Sequence, residues 1–335
     1  MRRFLISFLF VLIVCAAPTS GAEDFKAGER KVLTVDGIEY AFRWCPPGEF
    51  MMGSPAGELW QYDGEKQHRV RLTKGFWMLE TEVTQAQWKA IMGTTVEEQA
   101  RKMLNDATEY DFGSLIGKKT FRDLYGFSRD TPAEKLLWGV GPDRPIYYVN
   151  WQESVEFCRR LSLRLNQRVQ LPTEAQWEYA CRAGSTTTFP NGSEIKGTNN
   201  APALDPIAWY GGNSNQDFTS QSAWNASDWP QFSGPCGVHE VGKKEANAWG
   251  LHDMIGNVFE WCSDYYDAAY YGKSPMNDPE NVTVSSSRVL RGASWGDGAE
   301  SCRSALRVGY SPEFRLNGLG LRVVLIPNQE SNARR

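Results

Sequence analysis

Residues 171–184 read LPTEAQWEYACRAG. Thr173 with Gln176 three positions on is a capping box, in which the hydroxyl takes the third helical N–H and the glutamine amide oxygen takes the cap's own N–H. Gly184 is the residue best able to adopt the left-handed turn that ends such a helix. A short helix is therefore predicted between them. Two more helices follow the same grammar: Thr84-Gln85-Ala86-Gln87 opens one that stops at Gly93, and Asn150 to Glu153 opens one through VEFCRRLSLRL. In the latter, Trp151, Val155, Cys158 and Leu161 recur at helical spacing, which directs Cys158 to the core.

Outside the helices the signals are those of strands and loops. VLTVDGIEYAFRWC places two alternating runs around Asp36-Gly37, a tight hairpin, and a strand is expected at His68 to Leu72. Residues 94–143 read as an insertion, with some helix in GTTVEEQARKMLNDA but no apolar face of its own. From Phe189 to about Asn247, Asn, Gly, Ser, Pro and Trp replace any period, which marks a long functional or tied-down loop region. The 13 Trp, 13 Tyr, 16 Phe and 31 Gly fit loop-rich packing, where large rings fill what regular elements leave open. There is no internal repeat, and residues 327–335 form a disordered tail.

Arg2-Arg3 followed by FLISFLFVLIVCAA and the small residues Ser20-Gly21-Ala22 reads as a signal peptide over residues 1–22. An exported protein, periplasmic or extracellular, is the expectation. Lipidation at Cys15 is the lesser alternative, because Val14 precedes it where a small residue is wanted. No later segment reaches the length of a membrane span. Loss of Arg2 and Arg3 takes the formal charge from −4 to −6. With no basic cluster along the chain, nucleic acid is excluded as a partner. Six cysteines follow the leader: Cys45, Cys158, Cys181, Cys236, Cys262 and Cys302. An oxidising compartment permits disulfides among them, and buried free thiols are the equal alternative.

Seven segments, in order, carry a resemblance: PPGEFMMGS, ETEVTQAQW, YYVNWQESVEFC, LPTEAQWEYACRAG, NAWGLHDMIGNVFEWC, RVLRGASW and LGLRVV. They are similar to the formylglycine-generating enzyme family, also called the sulfatase-modifying factor family. The likeness spans residues 40–326, with 23–39 left as an N-terminal strand region. It implies an α+β fold with a C-type-lectin-like core, loop-rich and low in regular secondary structure.

The resemblance also implies a chemistry that these residues do not support. Enzymes of the family hold copper(I) on two cysteines separated by four residues just after a segment like GASW, and oxidise a substrate cysteine to formylglycine. Counted from Ser294, Asp297 stands at the first position and Cys302 at the second. Counted back from Arg303-Ser304-Ala305-Leu306-Arg307 the register moves by three, and the pair is again missing. Copper(I) prefers two soft thiolates to one thiol and one carboxylate, so copper and formylglycine generation are not expected. Nor is iron, since His68, His239 and His252 have no ligand spacing. Ser294, Asp297 and Cys302 remain the catalytic candidates of a rival reading, a divergent oxidoreductase or a formylglycine-generating enzyme acting on a sulfatase cysteine.

Calcium is the cofactor that the resemblance favours. It implies a site on Asp253, Glu260 and the carbonyls of Gly256 and Val258, oxygen donors of the kind this ion accepts. It also implies disulfides from Cys158 and Cys181 to C-terminal partners, but Val324 and Ser304 stand there. Cys302 lies two residues from Ser304, which makes Cys181 to Cys302 the alternative pairing. In lectin-like proteins diversified by retroelements, similar to this domain, the C-terminal segment is the variable ligand-binding face. On that likeness Trp295, Asp297, Glu300, Arg303, Arg307, Tyr310, Phe314 and Arg315 are expected to bind a protein, peptide or glycan. The expected function is an exported ligand-binding or scaffold protein, with a diversified lectin-like binder as a variant. Mass spectrometry of exported protein is expected to find Glu23 at the N-terminus; a diacylated Cys15 would overturn the leader reading.

Overall fold

The computed structural model describes residues 25–111, 117–195, 201–216 and 235–327. The expected leader at 1–22, Cys15 and the tail beyond Pro327 lie outside them. Asp36 and Gly37 take φ of 50° and 81°, the left-handed pair that a two-residue hairpin needs to match strand twist. They join β1 (Arg30–Val35) to β2 (Ile38–Cys45). A second hairpin pairs β3 (Gly48–Met52) with β4 (His68–Leu72), where a strand was expected. The main sheet continues from β2 to β5 (Phe76–Leu79), then to β13 (Val324–Ile326) and β8 (Arg168–Gln170), every pair antiparallel. A boundary at residue 40 thus falls inside one sheet, and residues 30–39 belong to the same body as the rest.

β5 has no solvent-facing side. Strand alternation sends Trp77 and Leu79 into a core with Tyr40, Phe42, Trp88, Phe157 and Leu161, and sends Phe76 and Met78 into a second core with Trp177, Cys181 and Leu251. A four-stranded sheet, ordered β11 (Val308–Tyr310), β10 (Arg288–Arg291), β9 (Phe259–Tyr265) and β12 (Leu319–Gly320), lies against both cores. With five short α-helices among the described residues and long irregular connections, this is the loop-rich α+β architecture.

The cap signals are realised closely. Thr84 and Gln87 form the capping box of α1 (Gln85–Met92), which ends at Gly93 with φ 76°. Asn150 accepts from the Glu153 N–H at 2.9 Å to open α4 (Trp151–Leu165). Thr173 and Gln176 box α5 (Glu174–Arg182), which ends on two residues of positive φ, Ala183 (45°) and the expected Gly184 (92°). In α4 the buried stripe is Ser154, Phe157, Cys158 and Leu161, while Val155 is exposed. The large Phe157 sets the stripe, and the Ser154 hydroxyl enters it because it donates to the Asn150 carbonyl at 2.9 Å.

The insertion departs from its expectation. α2 (Val96–Asn105) buries Val96, Ala100, Met103 and Leu104, a helical stripe that the charged residues between its members disguise. Tyr110 from β6 (Tyr110–Asp111), which pairs with β7 (Lys118–Lys119), and Phe121 from α3 (Phe121–Leu124) join the same core. The insertion is a wall of the domain. Within the described part of 189–247 no helix or strand forms, and a bridge from Trp209 to Gly256 ties the segment down.

On β9, Asp264 is buried and accepts N–H groups of Glu174 and Asn281, each at 2.8 Å. Burial, then the Glu174 charge, pushes its carboxyl up to about 7 from an ordinary 3.8. Between those values the folded state keeps a proton that the unfolded chain has released. The resulting stability is complete at acid pH and is lost as pH rises toward 7. Denaturant melts at pH 5 and pH 8 are expected to show that decline, and Asp264→Asn to flatten it.

Candidate functional site

After β10, Gly292 (φ 96°) and Ala293 (φ 63°) turn the chain sharply. The Asp297 carboxylate accepts the Ser294 N–H at 2.9 Å and the Ser294 hydroxyl, while the Asp297 N–H returns to the Ser294 carbonyl at 3.1 Å. Ser294 and Asp297 therefore close a turn on each other. Burial raises the Asp297 carboxyl, the Ser294 hydrogen bonds oppose it, and the Glu300 charge adds to the rise. Cys302 is 0% exposed. Its thiol is pushed well above the ordinary value by burial and by the charges of Asp297 and Glu300, which disfavours the thiolate, the form that acts as nucleophile or soft ligand.

The Cys181–Cys302 disulfide is not formed: every described cysteine is free and buried. Cys181 lies against Ser304, whose hydroxyl partly offsets the burial that lifts the thiol to about 12.

The expected binding face turns out to be largely interior. Arg303 is fully buried and forks onto Glu65 at 2.7 and 2.9 Å, with Glu58 and the Ser54 hydroxyl each at 3.1 Å. Arg307 forks onto Glu174 at 2.6 and 2.8 Å and lies over the rings of Tyr271 and Tyr266. Burial alone would raise the Glu174 carboxyl, but Arg307, with Arg291 and the Tyr271 hydroxyl, holds it low. Trp295 stacks on Trp138, and Phe314 packs among Tyr110, Phe121 and Tyr310. Trp295, Arg303, Arg307 and Phe314 are thus corrected from contact residues to packing residues, because each has its partners inside the domain. Asp297, Glu300, Tyr310 and Arg315 remain partly exposed.

Arg315 donates to the Tyr148 carbonyl at 3.0 Å and to Glu153, beside an open groove of about 590 Å3. Arg101, Lys102 and Asn105 of α2 line one wall, and Asn150, Glu313 and Arg315 line another. Arg101, Asn105 and Glu313 are exposed. Sequence reasoning reached Arg315 but missed the α2 wall; the Thr95–Glu98 capping box and the spacing of Val96, Ala100 and Met103 were the signal that could have found it.

The proposed calcium residues divide. Asp253 is buried, takes the Gly242 N–H on Oδ2 at 2.6 Å, and keeps Oδ1 without a hydrogen-bond partner. Gly256 (φ 82°) and the buried Val258 lie in the turn that enters β9. Glu260 is otherwise engaged: Arg322 reaches Oε1 at 2.8 and 2.9 Å, and the Trp177 indole N–H reaches Oε2 at 2.7 Å. Among the described residues no three His, Cys, Asp or Glu side chains gather as a metal-holding group.

A family model described as a sulfatase-modifying factor enzyme 1-like domain matches residues 39–326. The chain belongs to the sulfatase-modifying factor family. It is 29% identical to a formylglycine-generating enzyme of Streptomyces coelicolor, over 83% of this chain and 86% of that one. It is 26% identical to the inactive C-alpha-formylglycine-generating enzyme 2 of Mus musculus, over 83% of each. Among solved structures, Treponema denticola variable protein 1 superposes with a TM-score of 0.62 at 26% identity, covering 89% of this chain and 99% of that chain.

Within this family frame a copper(I) centre does not fit the residues present. A hydrogen-bonded carboxylate at Asp297 and a buried thiol at Cys302 offer no pair of soft ligands. Arg303→Ala would leave Glu65 buried without its partner and is expected to cost about 3–5 kcal/mol of stability, whereas Glu300→Ala is expected to stay within about 0.5 kcal/mol. Denaturant melts of both variants check this. Intact mass after denaturation in an alkylating reagent is expected to show Cys181 and Cys302 both alkylated.

Proposed function

We propose that this chain is a non-catalytic, exported member of the sulfatase-modifying factor family that binds a peptide or glycan. The observation that carries the reading is the state of the two positions where copper ligands would stand. Asp297 is folded back onto Ser294, and the Cys302 thiol is sealed from solvent with its thiolate disfavoured. Copper(I) would meet one buried thiol and one hydrogen-bonded carboxylate in place of two thiolates. The similarity to a relative named inactive, at the same coverage as the one named an enzyme, supports separating membership from activity.

The groove between α2 and residues 313–315 is the surface that suits such a role. Its lining mixes guanidinium, ammonium, amide and carboxylate groups, which match an extended hydrogen-bonding ligand better than an apolar one. The surrounding frame is rigid, since Arg315 is fixed by Glu153 and by the Tyr148 carbonyl. Calcium enters as a structural ion, supported by the unpartnered buried oxygen of Asp253.

The test has two arms. With copper, oxygen and a C-x-P-x-R peptide, no mass loss corresponding to an aldehyde is expected; turnover abolished by Cys302→Ser would sink the non-catalytic reading. On peptide and glycan arrays, Arg101→Glu combined with Glu313→Lys is expected to weaken any bound species at least tenfold, with the melting temperature moving by no more than about 2 °C because both side chains are exposed.

A further inference from the structure

The loop between β3 and β4 carries side chains that folding alone does not explain. Trp60 is 44% exposed, and its φ is 65°. A left-handed backbone suits glycine or asparagine, and a bulky ring held there is strained. Solvent, for its part, favours a polar residue at the same place. Among the described residues Trp60 makes no ring stack, cation contact or side-chain hydrogen bond that would offset either cost. Tyr62, two positions on, is 53% exposed, and Leu59 is exposed beside them.

The loop is pinned from behind, so these rings have no freedom to fold inward. The Ser54 hydroxyl is shared between Glu58 at 3.0 Å and Glu65 at 2.9 Å, and the buried Arg303 guanidinium reaches all three residues. The Gln61 amide donates to the Ser54 carbonyl at 2.9 Å, and the Ser54 N–H to the Glu65 carbonyl at 2.8 Å. Arg303 also lies over one face of Tyr62, 5.7 Å from the ring centroid, while the ring stays half-exposed. Interior ion pairs thus hold a loop whose outer residues are apolar. A surface ordered in advance loses less freedom when a ligand stacks on it.

Size and charge select the occupant. Two half-exposed rings present about 200 Å2, against about 800 Å2 per partner in a stable protein interface. Nucleobases stack on such rings where a basic groove tracks their phosphates, but residues 55–65 contain no Lys or Arg. Asp63 is exposed, and its carboxylate has no ion pair or hydrogen bond among the described residues. A neutral sugar suits both features: the C–H face of an equatorially substituted pyranose covers a ring, and its hydroxyls donate to a free carboxylate.

We propose that Trp60 and Tyr62 form a stacking platform for a neutral glycan, with Asp63 accepting its hydroxyls. None of the three lines the groove beside Arg315, so the platform is a separate site and does not depend on the groove reading.

The experiment titrates cellohexaose, chitohexaose and a heparin hexasaccharide by calorimetry into full-chain wild type, Trp60→Ala, Tyr62→Ala and the groove variant Arg101→Glu with Glu313→Lys. Wild type is expected to bind at least one neutral hexaose and not the sulfated one. Trp60→Ala and Tyr62→Ala are each expected to weaken that binding at least tenfold, and the groove variant to leave it unchanged. Trp60→Gly is expected to keep or raise the melting temperature, because glycine takes this φ without strain; a fall of more than about 4 °C would make Trp60 a packing residue and overturn the platform. Neutral hexaoses that bind neither wild type nor any variant, or that bind Trp60→Ala as tightly as wild type, would also overturn it. Binding lost in the groove variant alone would move the sugar to the groove, overturning the platform and leaving the groove reading intact. A dimer in sedimentation that Trp60→Ala abolishes, without sugar binding, would overturn it in favour of a second copy of the chain.

Discussion

Arginines buried against glutamates hold this fold together. Arg291 meets Glu178, Arg303 meets Glu65, Arg307 meets Glu174 and Arg322 meets Glu260, all with side chains almost wholly removed from solvent. Each arginine comes from the last fifth of the chain; Arg291 and Arg307 reach α5 and Arg303 reaches Glu65, none of which lies on a strand, while Arg322 reaches Glu260 on β9. A loop-rich domain has few backbone ladders with which to position its connections, and a planar fork with five donors can reach several carbonyls at once. Arg291 does so, adding the carbonyls of Ala305 and Ser304 to its carboxylate. Such pairs add little net stability over apolar packing, but once one partner is present the other cannot be removed cheaply.

This constraint explains why residues 294–316 are poor in free functional groups. A segment that supplies interior guanidiniums must turn those side chains inward, and the rings between them follow into the core. What remains outside is the rim, with Asp297, Glu300, Tyr310 and Arg315, and the groove that Arg315 shares with α2. The proposed binding role is therefore better placed at the junction of the C-terminal segment with the insertion than on the segment itself. The same inward turn covers Cys302, so that the first ligand position carries a carboxylate, Asp297, and the second a thiol removed from solvent.

What the sequence disclosed were the features decided within a few residues. Capping boxes at Thr84 and Thr173 and the Asp36-Gly37 hairpin are local contests between backbone conformations, and they came out nearly as read. Burial was harder. Arg303 meets Glu65 across 238 positions, and no periodicity carries information over that span, so the arginines looked like a surface. Glu174, Glu178 and Arg182 went unread as well, although they form an i, i+4, i+8 row on a helix that also buries Trp177 and Cys181. Val155 was misplaced because one apolar residue more or less in a helical stripe is decided by its larger neighbour, Phe157.

The position of β13 bears on how the molecule is made. Val324 to Ile326 sit between β5 and β8, within twelve residues of the chain's last residue, and they supply side chains to both cores. During synthesis the earlier strands emerge long before the one that must lie between them. The hairpin of β1 and β2 can form at once, but β5 and β8 have no common neighbour until residues 324–326 have followed them. Closure of the sheet is a late, long-range step, and until it occurs the apolar faces of β5 stay open to chaperones and to other chains.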